Sequence, residues 1–286
     1  ELGASISATL LSGLILLTTG AWLEAGRQLR MDVPVTTFIL FSFYAFLRGE
    51  KKPWWYVAVG IGIGLGVMVK SVIGLFVLPI ILIWAIVNKK WAWLRSVYFW
   101  IGGALALVIA LPWHIYESVH FGKTFWNNYL GYHVLQRFSK NILGSKAGSL
   151  RFVWNFLSTS LPWVYAFFAG TIGAFWLFKK GEKETRPILA VALIVFCMLG
   201  VFMCSRTKLL YYLTPLYPFI AIFLGLFFSK ILTHTNTKEI VSVCAILLLI
   251  VGAGDAIYVG YHFKPYLAQV AELSREESEI GAIIGA

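Results

Sequence analysis

Residues Pro53 to Val87 read PWWYVAVGIGIGLGVMVKSVIGLFVLPIILIWAIV, and the stretch contains one charged residue, Lys70. A helix rises 1.5 Å per residue, so roughly 17 to 20 apolar residues cross a ~30 Å hydrocarbon core. The stretch therefore reads as two membrane helices, residues 53–69 and 72–87, meeting at Lys70 and Ser71. Similar runs recur along the chain, at residues 3–23, 33–47, 97–116, 152–178, 188–204, 209–228 and 240–261. The composition agrees: 59% hydrophobic, 16% aromatic and 13% charged, with a mean hydropathy of +0.78. Soluble domains carry about 25% charged residues. The expected fold is all-α, a polytopic transmembrane helical protein with about nine spans.

The first span begins almost at Glu1, with no initiating Met and no basic segment ahead of it. The expectation is a transmembrane domain over residues 1–261, incomplete at its N-terminus, followed at 262–286 by the start of an extracytoplasmic C-terminal region. Orientation follows the distribution of Lys and Arg in short loops. RGEKK, NKKWAWLR, FKKGEKETR and SKILTHTNTKE hold 12 Lys and Arg against four acids, which places these loops in the cytoplasm. Much of the net charge of +11 is therefore topological, and it is no sign of nucleic-acid binding. The remaining basic residues stand at the opposite membrane edge: Arg27, Arg30, Lys70, Arg137, Lys140, Arg206 and Lys208. Topology selection works against these positions. Either the side chains snorkel to lipid phosphates or they surround a bound anion at headgroup level.

The segment GYHVLQRFSK, Gly131 to Lys140, sharpens the choice. Trp126, Leu130, Val134 and Phe138 recur every four residues, as in a helix lying in the interface, and His133 and Arg137 share a neighbouring face. A guanidinium offers a planar fork matched to phosphate. A histidine beside it can donate, accept or bind a metal, and no second metal ligand is visible in the sequence.

Five stretches resemble one known family, in order: RQLRMDVPVTTFILFSFYAFLRG, GVMVKSVIGLFVLPIILIW, LPWHIYESVHFGKTFWNNYLGYHVLQRFS, WNFLSTSLPWVYAF and SRTKLLYYLTPLYPFIAI. They are similar to the ArnT-like and protein O-mannosyltransferase-like glycosyltransferases, families 83 and 39, of GT-C architecture. The resemblance implies transfer of a sugar from a polyprenyl-phosphate carrier to an extracytoplasmic acceptor: lipid A, another glycan or a protein hydroxyl. It also implies an integral membrane protein, with a bacterial plasma-membrane setting as the expectation. Fixed cations would meet the charge growing on the leaving phosphate, and a carboxylate would deprotonate the acceptor. In the family that carboxylate lies in a loop upstream of everything matched here, so the general base is expected upstream of residue 1 and this stretch alone is expected to be inactive.

By the same resemblance, Arg137 is assigned to the carrier phosphate and His133 to a polar or metal contact beside it. Lys208, Tyr212 and Lys70 are further donor-binding candidates. Asp32 faces the sugar cavity on the family reading, but "MDVPV" is also an ordinary helix start with an acidic cap and Pro34 in the first turn. Both readings are open. Lys70 equally suits the dipole at a helix C-terminus, and Lys208 with Tyr212 equally suits an interfacial belt. Glu24 and Arg27 read as a local ion pair. No cofactor is required, and a divalent metal is left open.

Other features point away from alternatives. GIGIGLGVMVKS lacks the Gly-Lys-Ser ending of a phosphate loop; its glycines read as close helix packing. Cys197, Cys204 and Cys244 have no paired spacing. Asp255, inside the ninth run, is a candidate for a functional membrane carboxylate. A lipid or solute transporter or flippase is the competing class. No internal repeat is visible and the charges gather on one edge, which favours a one-sided site.

Overall fold

The structure is a computed structural model, and it describes residues 5–28, 30–140 and 149–234. The ninth run at 240–261, with Cys244 and Asp255, and the region 262–286 lie outside the described residues. Those described are helical, with short 3-10 turns and no strand. By length and composition three helical stretches can cross a membrane, Trp55–Asn88, Val97–Ser139 and Lys183–Cys204, and two bent pairs raise the number to five. Leu216–Leu232 is a shorter apolar helix. The chain is an integral membrane protein of helical class.

The opening stretch behaves as its sequence predicts. Helix α4 (Trp55–Lys70) ends where Ser71 takes φ +49°, and a 3-10 turn, Ser71–Phe76, leads into α5 (Val77–Asn88). In a straight helix Gly66 and Gly74 would stand about 12 Å apart. A Cβ added to Gly74 would instead lie 2.3 Å from the Gly66 carbonyl carbon, so the chain doubles back here. Packing on both sides agrees. Helix α3 (Asp32–Gly49) runs antiparallel to α4: Gly49 meets Tyr56, and Ser42 meets Gly62. Helix α6 (Val97–Trp126) runs parallel to α4, with Gly60 on Gly102 and Gly64 on Ala106 and Ile109. Two neighbouring helices can be parallel only if the chain crosses back between them, and α5 does so.

The glycine spacing is needed for this approach. A Cβ on Gly60 would stand 1.7 Å from the carbonyl oxygen of Gly102, which is backbone and cannot swing aside. Gly60→Ala is expected to push α4 from α6 at a cost of about 1–3 kcal/mol, the usual range for overpacking. A lowered unfolding midpoint of the detergent-solubilised protein would register it; an unchanged midpoint would show that the two helices are not held this closely.

Four sequence boundaries move. The first run divides into α1 (Ile6–Leu17) and α2 (Gly20–Arg27), bent by 66° where the Thr18 and Thr19 hydroxyls return to carbonyls of the preceding turn. The run at 152–178 divides into α8 (Ser149–Thr159) and α9 (Trp163–Lys179), bent by 95° at Ser160–Pro162. Helix α8 buries Phe152 and Phe156 and exposes Trp154, the one-sided pattern of an interfacial helix. Helix α10 (Arg186–Cys204) agrees with its predicted span, whereas α11 begins only at Leu216 and ends at His234, after a 3-10 turn at Leu210–Leu213.

The fourth correction concerns the long loop. Helix continues past residue 116 to Gly122, whose φ of +51° breaks it. Beyond the break a π-helical run, Asn127–Gln136, leads into the short α7 (Arg137–Ser139). Trp113 and Phe125 would be about 18 Å apart on one straight helix. Their ring centroids are 5.7 Å or less from Tyr129 and 5.5 Å from each other, so this part also folds back. His114 Nε2 lies 2.7 Å from the Tyr129 hydroxyl across the fold. Phe125 is the buried aromatic here, while Trp126 and Phe138 of the predicted apolar stripe are exposed.

One face of the bundle gathers the polar loops Glu50 with Lys90 and Lys230 with Glu182 and Glu184. Helices α3 and α11 run from the opposite face to these ends, and that opposite face holds the site.

Candidate functional site

Antiparallel packing brings the start of α3 against the end of α4. Asp32 there pairs with Lys70, 38 residues away in sequence, and their side chains are 7% and 22% exposed. Each charge also suits its helix terminus. Asp32 is the first residue of α3 and not its cap: Met31 holds the cap position, and no side chain closes that end. The carboxylate is engaged by Lys70, a partner outside both readings open in the sequence.

The Lys70 ammonium stands over two rings, 5.4 Å from Tyr211 and 5.8 Å from Tyr212. Both tyrosines come from the 3-10 turn ahead of α11. Tyr212 stacks on Phe202 of α10, which leans on Phe76 at the end of the 3-10 turn before α5, so an aromatic floor from three elements underlies the cations. Arg30, in the link between α2 and α3, lies 4.7 Å above Tyr211. Burial first, then Tyr212 and Asp32, push the Tyr211 phenol above the ordinary tyrosine value, while Arg137 and Arg30 act in the other direction.

Arg137 reaches the group by a different route. Four hydrogen bonds tie its segment to the link between α10 and α11. The Thr207 amide and the Ser205 hydroxyl donate to the Arg137 carbonyl, at 3.1 and 3.3 Å. The Arg206 amide donates to the Phe138 carbonyl at 2.9 Å, and the Thr207 hydroxyl to that of Lys140 at 2.7 Å. GYHVLQRFSK and SRTKLLYYLTP thus meet across about 70 residues of sequence. The Arg137 guanidinium lies 5.7 Å from the Tyr132 ring, and its Nε is buried without a hydrogen-bond partner. A buried donor left unmatched is costly, and an acceptor placed there would relieve it.

The remaining assignments fare differently. Lys208 turns to the end of α10 and donates to the Met203 and Ser205 carbonyls at 2.8 and 2.6 Å. Two of its three donors are thus taken by backbone, which leaves at most one for the donor-binding role expected of it. His133 falls within the π-helical run, and its side chain lies outside the described residues. Glu24 accepts a hydrogen bond from Gln28 at 3.1 Å instead of pairing with Arg27. Among the described residues no three His, Cys, Asp or Glu side chains gather as for a metal. The sequence marked Arg30 as a basic residue at this edge without giving it a role, and Tyr211 carried no signal beyond its neighbour Tyr212.

The result is a group of cations at one edge: Lys70 pairs with Asp32 and shares the Tyr211 ring with Arg30, and the Arg137 charge bears on the same phenol. Arg30 and Lys70 stand 4.7 and 5.4 Å from one ring centroid, and like charges gathered this way repel each other at a cost. An anion of one or two charges would remove that cost, and phosphate fits the guanidinium fork.

Comparison with known proteins bears on the fold that carries these residues. Residues 4–116 match the family model described as dolichyl-phosphate-mannose-protein mannosyltransferase. The chain is 25% identical over 265 residues to an undecaprenyl phosphate-alpha-4-amino-4-deoxy-L-arabinose arabinosyl transferase of Enterobacter sp. (strain 638), covering 86% of this chain and 46% of the relative. A second such transferase, from Sodalis glossinidius (strain morsitans), is 24% identical over 229 residues, covering 78% and 40%. The chain thus spans about half the length of the curated relatives it matches, or somewhat less. Among solved structures, ArnT from Cupriavidus metallidurans bound to undecaprenyl phosphate superposes with a TM-score of 0.70 at 22% identity, covering 92% of this chain and 46% of that one. Its apo form gives the same TM-score at 21% identity. The fold is the helical membrane fold of ArnT.

Proposed function

We propose that this chain forms the donor-binding membrane part of a glycosyltransferase that moves a sugar from a polyprenyl-phosphate carrier to an extracytoplasmic acceptor. The observation that carries the reading is the convergence of Arg30 and Lys70 over Tyr211 at one membrane face, with the Arg137 segment tied by hydrogen bonds to the link that carries this tyrosine. The ArnT fold and the relatives, transferases that use an undecaprenyl-phosphate sugar by name, support it.

Each residue has a part in the chemistry. When the bond from the anomeric carbon to the phosphate oxygen breaks, negative charge grows on the phosphate, and Arg137 and Lys70 lower the barrier by meeting it. Asp32 holds Lys70 in place against the repulsion of the other cations. The tyrosine rings supply an apolar floor beside the phosphate. Asp32 is the carboxylate nearest the cluster and is committed to Lys70, so the reading takes the base for the acceptor hydroxyl from elsewhere in the whole protein. The face carrying the cluster is extracytoplasmic on this reading, in a bacterial inner membrane, with lipid A, another glycan or a protein hydroxyl as acceptor. On the same reading residues 262–286 are extracytoplasmic.

The test is release of free undecaprenyl phosphate from an undecaprenyl-phosphate sugar by the full-length protein in liposomes. Release that depends on acceptor is the expected result. No release over a range of donors and acceptors would sink the enzyme reading and turn attention to lipid transport.

A further inference from the structure

Arg30 occupies an unusual position in the cluster. It is exposed, and its side chain makes no ion pair or hydrogen bond among the described residues. Among the described residues its ring partner is the face of Tyr211, which also lies beneath Lys70. An aromatic face attracts a cation more weakly than phosphate does, and it leaves the five N–H donors of a guanidinium unsatisfied. A ring in this place keeps the cation near without competing for its hydrogen bonds. The same ring draws Arg30 and Lys70 together, although they approach from different elements and repel each other.

We infer that Arg30 is a further contact for the phosphate of the polyprenyl donor, and that Tyr211 is the positioning residue that holds Arg30 beside Lys70 until the anion arrives. The inference rests on the donor-binding reading and adds two residues to it. On phosphate binding the guanidinium trades the ring face for charge-assisted hydrogen bonds, and no covalent step is involved.

Two measurements on the full-length protein separate the claims: binding of undecaprenyl phosphate in nanodiscs, and the donor KM and kcat. Arg30→Gln is expected to weaken binding and raise KM by roughly tenfold to hundredfold, the worth of one charge-assisted hydrogen bond, with a smaller change in kcat. Arg30→Lys keeps the charge without the fork and should recover part of the loss. Tyr211→Leu removes the ring and should weaken binding about threefold to thirtyfold, while Tyr211→Phe keeps the ring and should stay within about twofold of wild type.

Unchanged binding in Arg30→Gln would overturn the assignment of Arg30. If Tyr211→Phe falls as far as Tyr211→Leu, the hydroxyl and not the ring is at work, and the positioning role is overturned. Inorganic phosphate, added as a competitor, should displace the lipid only weakly; equal displacement would mean that the site takes phosphate alone. Wild type that binds the lipid but releases none from a sugar donor would sink the enzyme reading and leave the Arg30 result decisive. Wild type that does not bind the lipid sinks both.

Discussion

Arg137→Ala in the full-length protein is expected to slow release of polyprenyl phosphate by roughly 30-fold to 1000-fold under single-turnover conditions. Losing one fixed donor at a developing charge costs about 2 to 4 kcal/mol, and each 1.36 kcal/mol is a factor of ten in rate. The structure gives a reason to choose this residue above the other cations. Its Nε is buried and unmatched, so it gains more from an arriving acceptor than a solvated group would. Its backbone is tied to residues 205–207, so truncating the side chain leaves the frame in place. Arg137→Lys should fall between wild type and alanine, because a lysine keeps charge and loses bidentate geometry. A rate equal to wild type in Arg137→Ala would return this arginine to the snorkelling role that the sequence also allowed.

Lys70→Met is expected to be the most destabilising single change at the site. It would strand the Asp32 carboxylate, whose side chain is 7% exposed, without its cation. Removing one member of a buried ion pair costs about 3–5 kcal/mol, and the partial exposure of Lys70 places this pair at the lower end. The unfolding midpoint of the detergent-solubilised protein should drop accordingly. The double variant Asp32→Asn, Lys70→Met should recover most of the stability, because no charge is left unpaired, while release of polyprenyl phosphate stays low. A double variant as unstable as Lys70→Met alone would show that the loss came from packing of the lysine stem and not from the pair.

These residues show where sequence reading succeeds and where it stops. Apolar runs and the GIGIGLG spacing made the spans and the tight packing of α4 legible, because bilayer thickness and helix rise admit few solutions. The partner of those glycines was not legible, since Gly102 sits 42 residues from Gly60 with nothing local to announce it. The same limit hid the pairing of Asp32 with Lys70. The bends at Thr18 and at Ser160–Pro162 were missed because hydropathy averages over a window and has no term for direction. The bonds of Lys208 to the Met203 and Ser205 carbonyls were not legible, because a lysine at a helix edge has the same signature whether it meets a ligand or a carbonyl. Arg137 could be named as a candidate from its residue type and its place beside His133. Tyr211 was not, in a chain whose aromatic content makes one more tyrosine unremarkable.

The tie between residues 137–140 and 205–207 bears on how such a protein can change over time. On the 137–140 side all four hydrogen bonds are accepted by main-chain carbonyls, and the hydroxyls and amides come from the other segment. Substitution at 137, 138 or 140 therefore leaves all four bonds available. Descendants of this chain could exchange the side chains that meet the headgroup, one at a time, and inherit the same frame beneath them.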